Sequence, residues 1–311
     1  PVLAETLLAP EEQLASRLLR AASDAGMKLF VTSGVIEEVE RHINRCLVYV
    51  RAPAHQWVGG VPFLFSMYAF GGHQAGAFPA WIERFCGNER PRDDLADYLV
   101  TEWGITTRDL GEVVEKSPQA LRWEIERIWR EAHETRRGRG GIEYDAFVVD
   151  RLVKHDVECF LGVIGMRSSN AASELGYAHW WLTFDKTVRD FEAKLFESLG
   201  SAAPKAPVMS PDFLANYLAI GPMRSRVSKA TEASIPVAMM EVLPAFVPAE
   251  LVQIADDFRK TVTGVDERLL KRKLRDALDS GKRRPGVFTT GGFAAVRGNI
   301  ERALRERNAR E

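Results

Sequence analysis

Three acidic residues from separate parts of the chain have settings that suit the binding of a divalent cation. Asp156 lies in the middle of an apolar helical stripe, Asp185 directly follows the apolar run WWLTF, and Glu38 follows the apolar run MKLFVT. Carboxylates that share one cleft repel one another, and a hard cation relieves that repulsion. Mg²⁺ or Mn²⁺ prefers oxygen ligands of this kind, and a bound ion lowers the pKa of a coordinated water.

Asp156 carries the sharpest of these signals. On a helical wheel it shares its face with five apolar residues, namely Val149, Leu152, Val153, Phe160 and Val163. Burying an unpaired carboxylate is costly, so such a group is normally bound to a metal, hydrogen-bonded or ion-paired. Asp145 lies three turns earlier on the same stripe and is a candidate fourth metal ligand. The alternative is that Asp156 forms a structural salt bridge with Arg167, three turns later, or with another arginine.

Asp185 and Glu38 are placed by the strands that precede them. Ligands of open parallel sheets bind at the carboxyl ends of strands, where Asp185 is expected. Thr183 points to the same face and can offer its hydroxyl to a bound water. The alternative for Asp185 is a helix cap. Glu38 and Glu40 flank the apolar stripe of their helix, and periodicity alone does not choose between them, while a solvated acidic face is the alternative for both.

The elements that must position these residues follow from the same patterns. MKLFVT (27–32), WWLTF (180–184) and APVMS (206–210) are predicted to form short buried strands. Ser33 is predicted to cap the helix after the first strand, and Pro211 to open the helix after the last. The stretch 143–167 is the most regular helical pattern in the chain, and RRGRGG at 136–141 is predicted to break the helix before it.

Four stretches together resemble the PIN domain family. VTSGVIEEVERHI resembles its second motif and selects Glu38, and KHDVECFLGVIGMR resembles the stretch with the third acidic residue, which falls on Asp156. WWLTFDK resembles the strand–(Thr/Ser)–x–Asp motif, which gives Thr183 and Asp185, and APVMSPDFL is similar to the closing strand and helix. One motif departs from the pattern: PIN domains begin with a strand ending in Asp-Thr/Ser-Asn. VLAETLL offers only Glu5 and Thr6, so we expect that strand upstream of Pro1.

This resemblance implies an α/β fold with a PIN-like, Rossmann-like parallel sheet flanked by helices. The PIN-like domain would occupy residues 1–222, with a large helical and loop-rich insertion at about 47–140. The implied activity is that of an Mg²⁺- or Mn²⁺-dependent nuclease, acting more often on RNA than on DNA. Glu38, Asp156, Thr183 and Asp185 would be its catalytic residues. A PIN-like fold that has lost activity and serves as a binding or assembly module is the alternative, and an unrelated α/β enzyme is a third interpretation.

Composition narrows the setting. The chain has 311 residues and a formal net charge of −1, so a nucleic-acid site must be a local basic patch. RRGRGG with Arg130 is a candidate, and a flexible basic linker is the alternative for that stretch. The three cysteines form no CxxC pair, which disfavours a disulfide framework and a zinc site. No stretch approaches the ~20 apolar residues of a membrane span. We expect a cytoplasmic protein without a membrane segment.

The segment 223–311 is expected to form a separate helical domain. Its helices, at 249–262 and 266–280, carry narrow apolar stripes that need a surface to cover them. That surface could be the first domain, a second copy of the chain in a homo-oligomer, or a partner protein. The basic residues at 268–275 and 282–284 could instead hold a nucleic-acid backbone.

Overall fold

The computed structural model describes residues 14–52, 62, 64–65, 68, 73–140, 145–167 and 176–227. Its α-helices are α1 (Leu14–Asp24), α2 (Ser33–Arg51), α3 (Phe78–Ile82), α4 (Pro91–Trp103), α5 (Gly111–Glu115), α6 (Gln119–Gly140), α7 (Ala146–Met166), α8 (Phe191–Leu199) and α9 (Pro211–Ile220). The strands are β1 (Phe30–Val31), β2 (Thr106–Thr107), β3 (Trp181–Leu182) and β4 (Val208–Met209). Short 3-10 helices cover Ala75–Ala77, Lys186–Asp190, Gly200–Ala202 and Pro222–Arg226.

The predicted α/β fold with a PIN-like, Rossmann-like parallel sheet is wrong for the described residues. They are mostly helical, with 70% helix and 5% strand, and hold only two very short two-stranded sheets. Both sheets are parallel, with the registers Phe30–Thr106 and Val31–Thr107 in the first and Trp181–Val208 and Leu182–Met209 in the second. The physical reason is that an apolar run shows that a segment is buried but supplies no hydrogen-bonding partner. Each run here pairs over two residues and with a single neighbour within the described part.

The segment predicted as an insertion, at about 47–140, contributes to the structural frame around the site. It supplies β2, which pairs with β1, and α6, which packs most extensively against α7. The helix ends within the predicted stretch RRGRGG, at Gly140, and the next helix begins at Ala146. Helix α6 matters for the site because two of its side chains, those of His133 and Arg136, contact Asp156 and Asp185.

Helix starts follow from side chains that cap them. Pro211 begins α9, as predicted, and Ser210 caps that helix by accepting a hydrogen bond from the amide of Phe213. The cap of α2 is Thr32 and the helix starts at Ser33, the residue that was expected to be the cap. The hydroxyl of Thr32 accepts from the amide of Val35 at 3.4 Å. These caps fix where the helices begin relative to β1 and β4.

Three clusters of buried side chains form the core. The first joins α2 and α4 with an aromatic group that includes Phe65, Tyr68 and Phe78. The second joins α1 and α9, and the third joins α6, α7 and α8 around Trp129, Phe160 and Phe191. Leu29 and Leu182 contact both the first and the second cluster, so β1 and β3 lie close to the same part of the core. Trp181, the other residue of β3, packs against the third cluster. Glu38 comes from a helix of the first cluster and Asp156 from a helix of the third, and β3 contacts both clusters.

No helix among the described residues is long and apolar enough to cross a membrane. The helices predicted at 249–262 and 266–280, and with them the assembly and nucleic-acid roles expected for 223–311, fall outside the described residues apart from the first five of that segment. Within those five, Val227 is buried in the second cluster, beside α1 and α9.

Candidate active site

Asp156 projects from α7 toward α6, where it meets a histidine. Nε2 of His133 lies 2.7 Å from Oδ2 of Asp156 and donates to it while the carboxyl is ionised. The two side chains are 8% and 22% exposed, so the contact is largely shielded from solvent. His133 is held in turn by its ring contact with Trp129, one helical turn earlier, in a stacked arrangement at 5.9 Å. Asp156 thus has a polar partner, as its apolar setting required, but the partner is a histidine.

The arginine considered as the structural partner of Asp156 has a different place. Arg167 is the C-cap residue of α7 and donates to the backbone carbonyls of residues 179, 205 and 206. The alternative of a structural salt bridge between Asp156 and an arginine is therefore wrong among the described residues, where the hydrogen-bond partner of Asp156 is His133.

Asp185 lies just past β3 and binds an arginine. Nη2 of Arg136, on α6, lies 3.0 Å from each carboxylate oxygen of Asp185 and also donates to the hydroxyl of Thr187. Oδ1 of Asp185 accepts from the amide of Thr187 at 2.8 Å, so the residue caps the 3-10 helix Lys186–Asp190. Thr183 accepts a hydrogen bond from the amide of Asp185 at 3.0 Å. The alternative that Asp185 caps a helix is therefore confirmed. Its carboxylate also interacts electrostatically with Asp156 on α7.

The structure separates Glu38 from its acidic neighbours. Glu40 pairs with Arg92 at 2.5 Å, and Glu37 pairs with Arg151 at 3.1 Å and with Arg92 at 3.4 Å. Glu38 instead interacts electrostatically with Asp156, the acid that lies on α7. Tertiary structure thus selects Glu38, where periodicity left Glu38 and Glu40 open.

The three acids, Glu38, Asp156 and Asp185, form what we call the acidic cluster, and their ionisation is coupled. Burial raises the pKa of Glu38, and the negative charge of Asp156 raises it further. Burial likewise raises the pKa of Asp156, to which Asp185 adds repulsion, although the hydrogen bond with His133 acts in the opposite direction. Burial also opposes the ionisation of Asp185, but the hydrogen bonds from Thr187 and the charge of Arg136 outweigh it and lower the pKa of this carboxyl.

The described acidic residues do not form a metal site in which protein side chains supply most of the ligands. Among the described residues no three His, Cys, Asp or Glu side chains are arranged as a ready metal site. Mg²⁺, however, is usually held by one or two carboxylates and keeps several waters. Glu38 and Asp156 are the carboxyls that could hold such an ion, because burial disfavours their charged forms and a cation would reduce that cost.

Asp145 does not join the acidic cluster. It is the exposed N-cap of α7 and accepts hydrogen bonds from the amides of Phe147 and Val148 at 3.0 and 3.3 Å. Eleven residues at about 1.5 Å per residue place it roughly 16 Å along the helix from Asp156. Periodicity correctly placed Asp145 and Asp156 on the same face of the helix, but it does not show how far apart they lie along the helix axis.

His133 was missed from the sequence, and Arg136 was considered only as part of the basic stretch RRGRGG. Both lie on α6, and His133 follows Trp129 by four residues and Ile125 by eight, on the buried stripe. A histidine on an apolar stripe is a signal that periodicity can detect. Cys159 lies near the site, but burial raises the pKa of its thiol to about 12. The thiol therefore stays protonated and is a poor nucleophile.

Comparisons with known proteins add no assignment. No family model matches the chain, and neither the curated proteins nor the solved structures contain a significant match.

Proposed function

We propose that the protein is an Mg²⁺- or Mn²⁺-dependent nuclease that hydrolyses phosphodiester bonds, in RNA more than in DNA. Glu38, Asp156 and Asp185 are its acidic residues, and Glu38 with Asp156 would hold the ion. The observation that carries the proposal is that three carboxyls from distant positions come together, since Asp156 interacts electrostatically with both Glu38 and Asp185. The ion, when bound, would lower the pKa of a coordinated water and offset negative charge on the phosphate.

The energetics favour a functional reason for the cluster. A carboxyl whose pKa is raised in the folded protein is less stable when ionised there than in the unfolded chain. Two such carboxyls, Glu38 and Asp156, lie together at a cost to stability around neutral pH. Groups with shifted pKa values of this kind concentrate at functional sites, where selection retains them despite that cost.

The chain's own residues would prepare this site in distinct ways. His133 orients the carboxylate of Asp156 through its hydrogen bond to Oδ2, and Oδ1, which has no hydrogen-bond partner among the described residues, would bind the ion. Thr183 fixes the backbone at Asp185. Arg136, being about half exposed, can leave Asp185 and meet a substrate phosphate.

A binding or assembly module without catalytic activity is the second candidate function. It is favoured by the same two contacts, since His133 and Arg136 already satisfy Asp156 and Asp185 without a metal. In that case the cluster would tie α6 to α7 and to the turn after β3, and nothing more.

Cleavage assays with the full chain separate the two functions. Fluorescent single-stranded RNA and DNA are incubated with Mg²⁺, with Mn²⁺ or with EDTA, and with Glu38→Gln, Asp156→Asn and Glu40→Gln variants. Glu40→Gln is the matched control, because Glu40 lies on the same helix and pairs with Arg92 outside the cluster. We expect metal-dependent cleavage that Glu38→Gln and Asp156→Asn reduce roughly a hundredfold or more, since outer-shell changes alone cost about 10–100-fold. Cleavage that persists in EDTA or in both variants contradicts the proposal, and binding without cleavage supports the module.

A further inference from the structure

The guanidinium of Arg167 is fixed in one orientation by neutral groups. Its Nε donates to the carbonyl of His179 at 3.0 Å, and Nη1 donates to the two carbonyls of the 205–206 segment at 3.1 and 3.2 Å. The guanidinium carbon lies 4.2 Å from the ring centre of Tyr177 and 4.4 Å from that of Trp180. These contacts place the cation, and no carboxylate among the described residues pairs with it.

Two buried nitrogens at this place have no hydrogen-bond partner within the described part of the chain. They are Nη2 of Arg167 and Nδ1 of His179. The ring of His179 also hydrogen-bonds the backbone of Met166, which must involve its other nitrogen. A buried polar group left without a partner costs about 1–3 kcal/mol, so an unpartnered pair on contacting residues indicates a missing ligand.

The surrounding charge shows the sign of that ligand. Burial lowers the pKa of His179, and the positive charges of Arg108 and Arg167 lower it further. Among the described residues, no carboxylate contributes to the pKa shift of either Arg167 or His179. Arg108, the residue after β2, is exposed and lies over the ring of Phe30, and its positive charge acts on His179. Positive groups collected without an acid are the electrostatic setting of an anion site.

We propose that Arg167, His179 and Arg108 form a binding site for a phosphate monoester or for inorganic phosphate. Phosphate oxygens accept from the free Nη2 of Arg167. A neutral His179 that donates from Nε2 offers a lone pair at Nδ1, and a monohydrogen phosphate has the O–H group to meet it. A phosphodiester or a carboxylate lacks that donor. The site is separate from the acidic cluster and does not depend on the proposed nuclease activity.

Binding of inorganic phosphate to the full chain tests the site. Calorimetry gives the affinity of the wild type and of the Arg108→Gln, His179→Leu and Arg84→Gln variants. His179→Leu keeps the backbone carbonyl that Arg167 needs, so the fold should survive. Arg84→Gln is the matched control, since Arg84 is also exposed and lies over a phenylalanine ring, that of Phe85. We expect saturable binding that Arg108→Gln and His179→Leu each weaken about tenfold, the effect of one charge-assisted contact, and that Arg84→Gln leaves unchanged.

Two further measurements distinguish the source of the phosphate. By NMR, phosphate should raise the pKa of His179, because an anion stabilises the imidazolium. An oligonucleotide with a 5′-phosphate that binds better than its 5′-hydroxyl counterpart, with the preference lost in His179→Leu, identifies a nucleic-acid end as the ligand. Binding of free phosphate alone identifies a small molecule. The proposal is overturned if the wild type shows no saturable phosphate binding. It is also overturned if Arg108→Gln and His179→Leu bind phosphate as tightly as the wild type and the Arg84→Gln control do.

Discussion

Replacement of Asp156 by asparagine tests whether the cluster serves function or stability. The amide has nearly the same shape as the carboxyl and can still bond Nε2 of His133, which lies 2.7 Å from Oδ2 in the wild type. Charge-assisted hydrogen bonds contribute about 1.5–3 kcal/mol and neutral ones about 0.5–1.5, so this contact weakens by about 1 kcal/mol. The substitution also removes the burial cost and the repulsion that raise the pKa of Asp156. The two effects oppose each other, so we expect a net change within about 1 kcal/mol at pH 7.

The pH dependence of this difference follows from the direction in which the pKa of Asp156 is displaced. The folded-state pKa of this carboxyl lies above its ordinary value of 3.8. A carboxyl of this kind adds stability below pH 3.8, and that contribution is lost as pH rises through the folded-state pKa. The wild type should therefore lose stability relative to Asp156→Asn on going from pH 3.5 to pH 7. The loss is about 1.4 kcal/mol for every tenfold difference between the acid dissociation constants of Asp156 in the folded and unfolded chains.

Urea unfolding followed by tryptophan fluorescence measures both quantities, with metal-dependent cleavage assayed in parallel. A variant that folds like the wild type but no longer cleaves supports the functional role. Breaking a buried ion pair costs about 3–5 kcal/mol. A loss of that size at pH 7, or a wild type that gains on the variant as pH rises, would refute the reasoning and make the contact between His133 and Asp156 structural.

Three further outcomes are expected. Glu38→Gln should stabilise the protein at pH 7 but not at pH 4, because the pKa of Glu38 is raised and its charge is therefore disfavoured; thermal unfolding at both pH values checks this. Arg136→Gln should cost less than about 1 kcal/mol at pH 7, since Arg136 is about half exposed, and the cost should vanish as pH falls through the lowered pKa of Asp185, which urea unfolding across that pH range measures. Gly162→Ala should destabilise the fold by about 1–3 kcal/mol in urea titrations, because a new Cβ would lie 2.6 Å from a methyl group of Leu110.

Local periodicity predicted much of the immediate setting of the site. It placed Asp156 on the apolar face of a long helix, and the structure has that helix at Ala146–Met166. It also placed Asp185 after a short strand, which is β3. These inferences succeeded because each depends on the spacing of neighbouring side chains along one segment.

The sheet could not be predicted in the same way. The runs at 27–32, 180–184 and 206–210 do contain strands, but each strand has only two residues in the structure. Hydrogen bonding in a sheet depends on a second segment at the right distance and direction, and β1 finds its partner at Thr106–Thr107, in a segment interpreted as an insertion. No pattern inside a strand specifies that partner.

What the sequence alone determined is therefore the polarity of each face: which helices are amphipathic, which acids border apolar stripes and where helices can begin. Tertiary structure decided the pairing. In the folded chain Asp156 contacts His133, twenty-three residues away on α6, and Arg167 donates to backbone carbonyls. It also chose Glu38 over Glu40. A side chain's direction is fixed by its own helix, whereas its partner depends on how two helices pack, and that is set by the whole core.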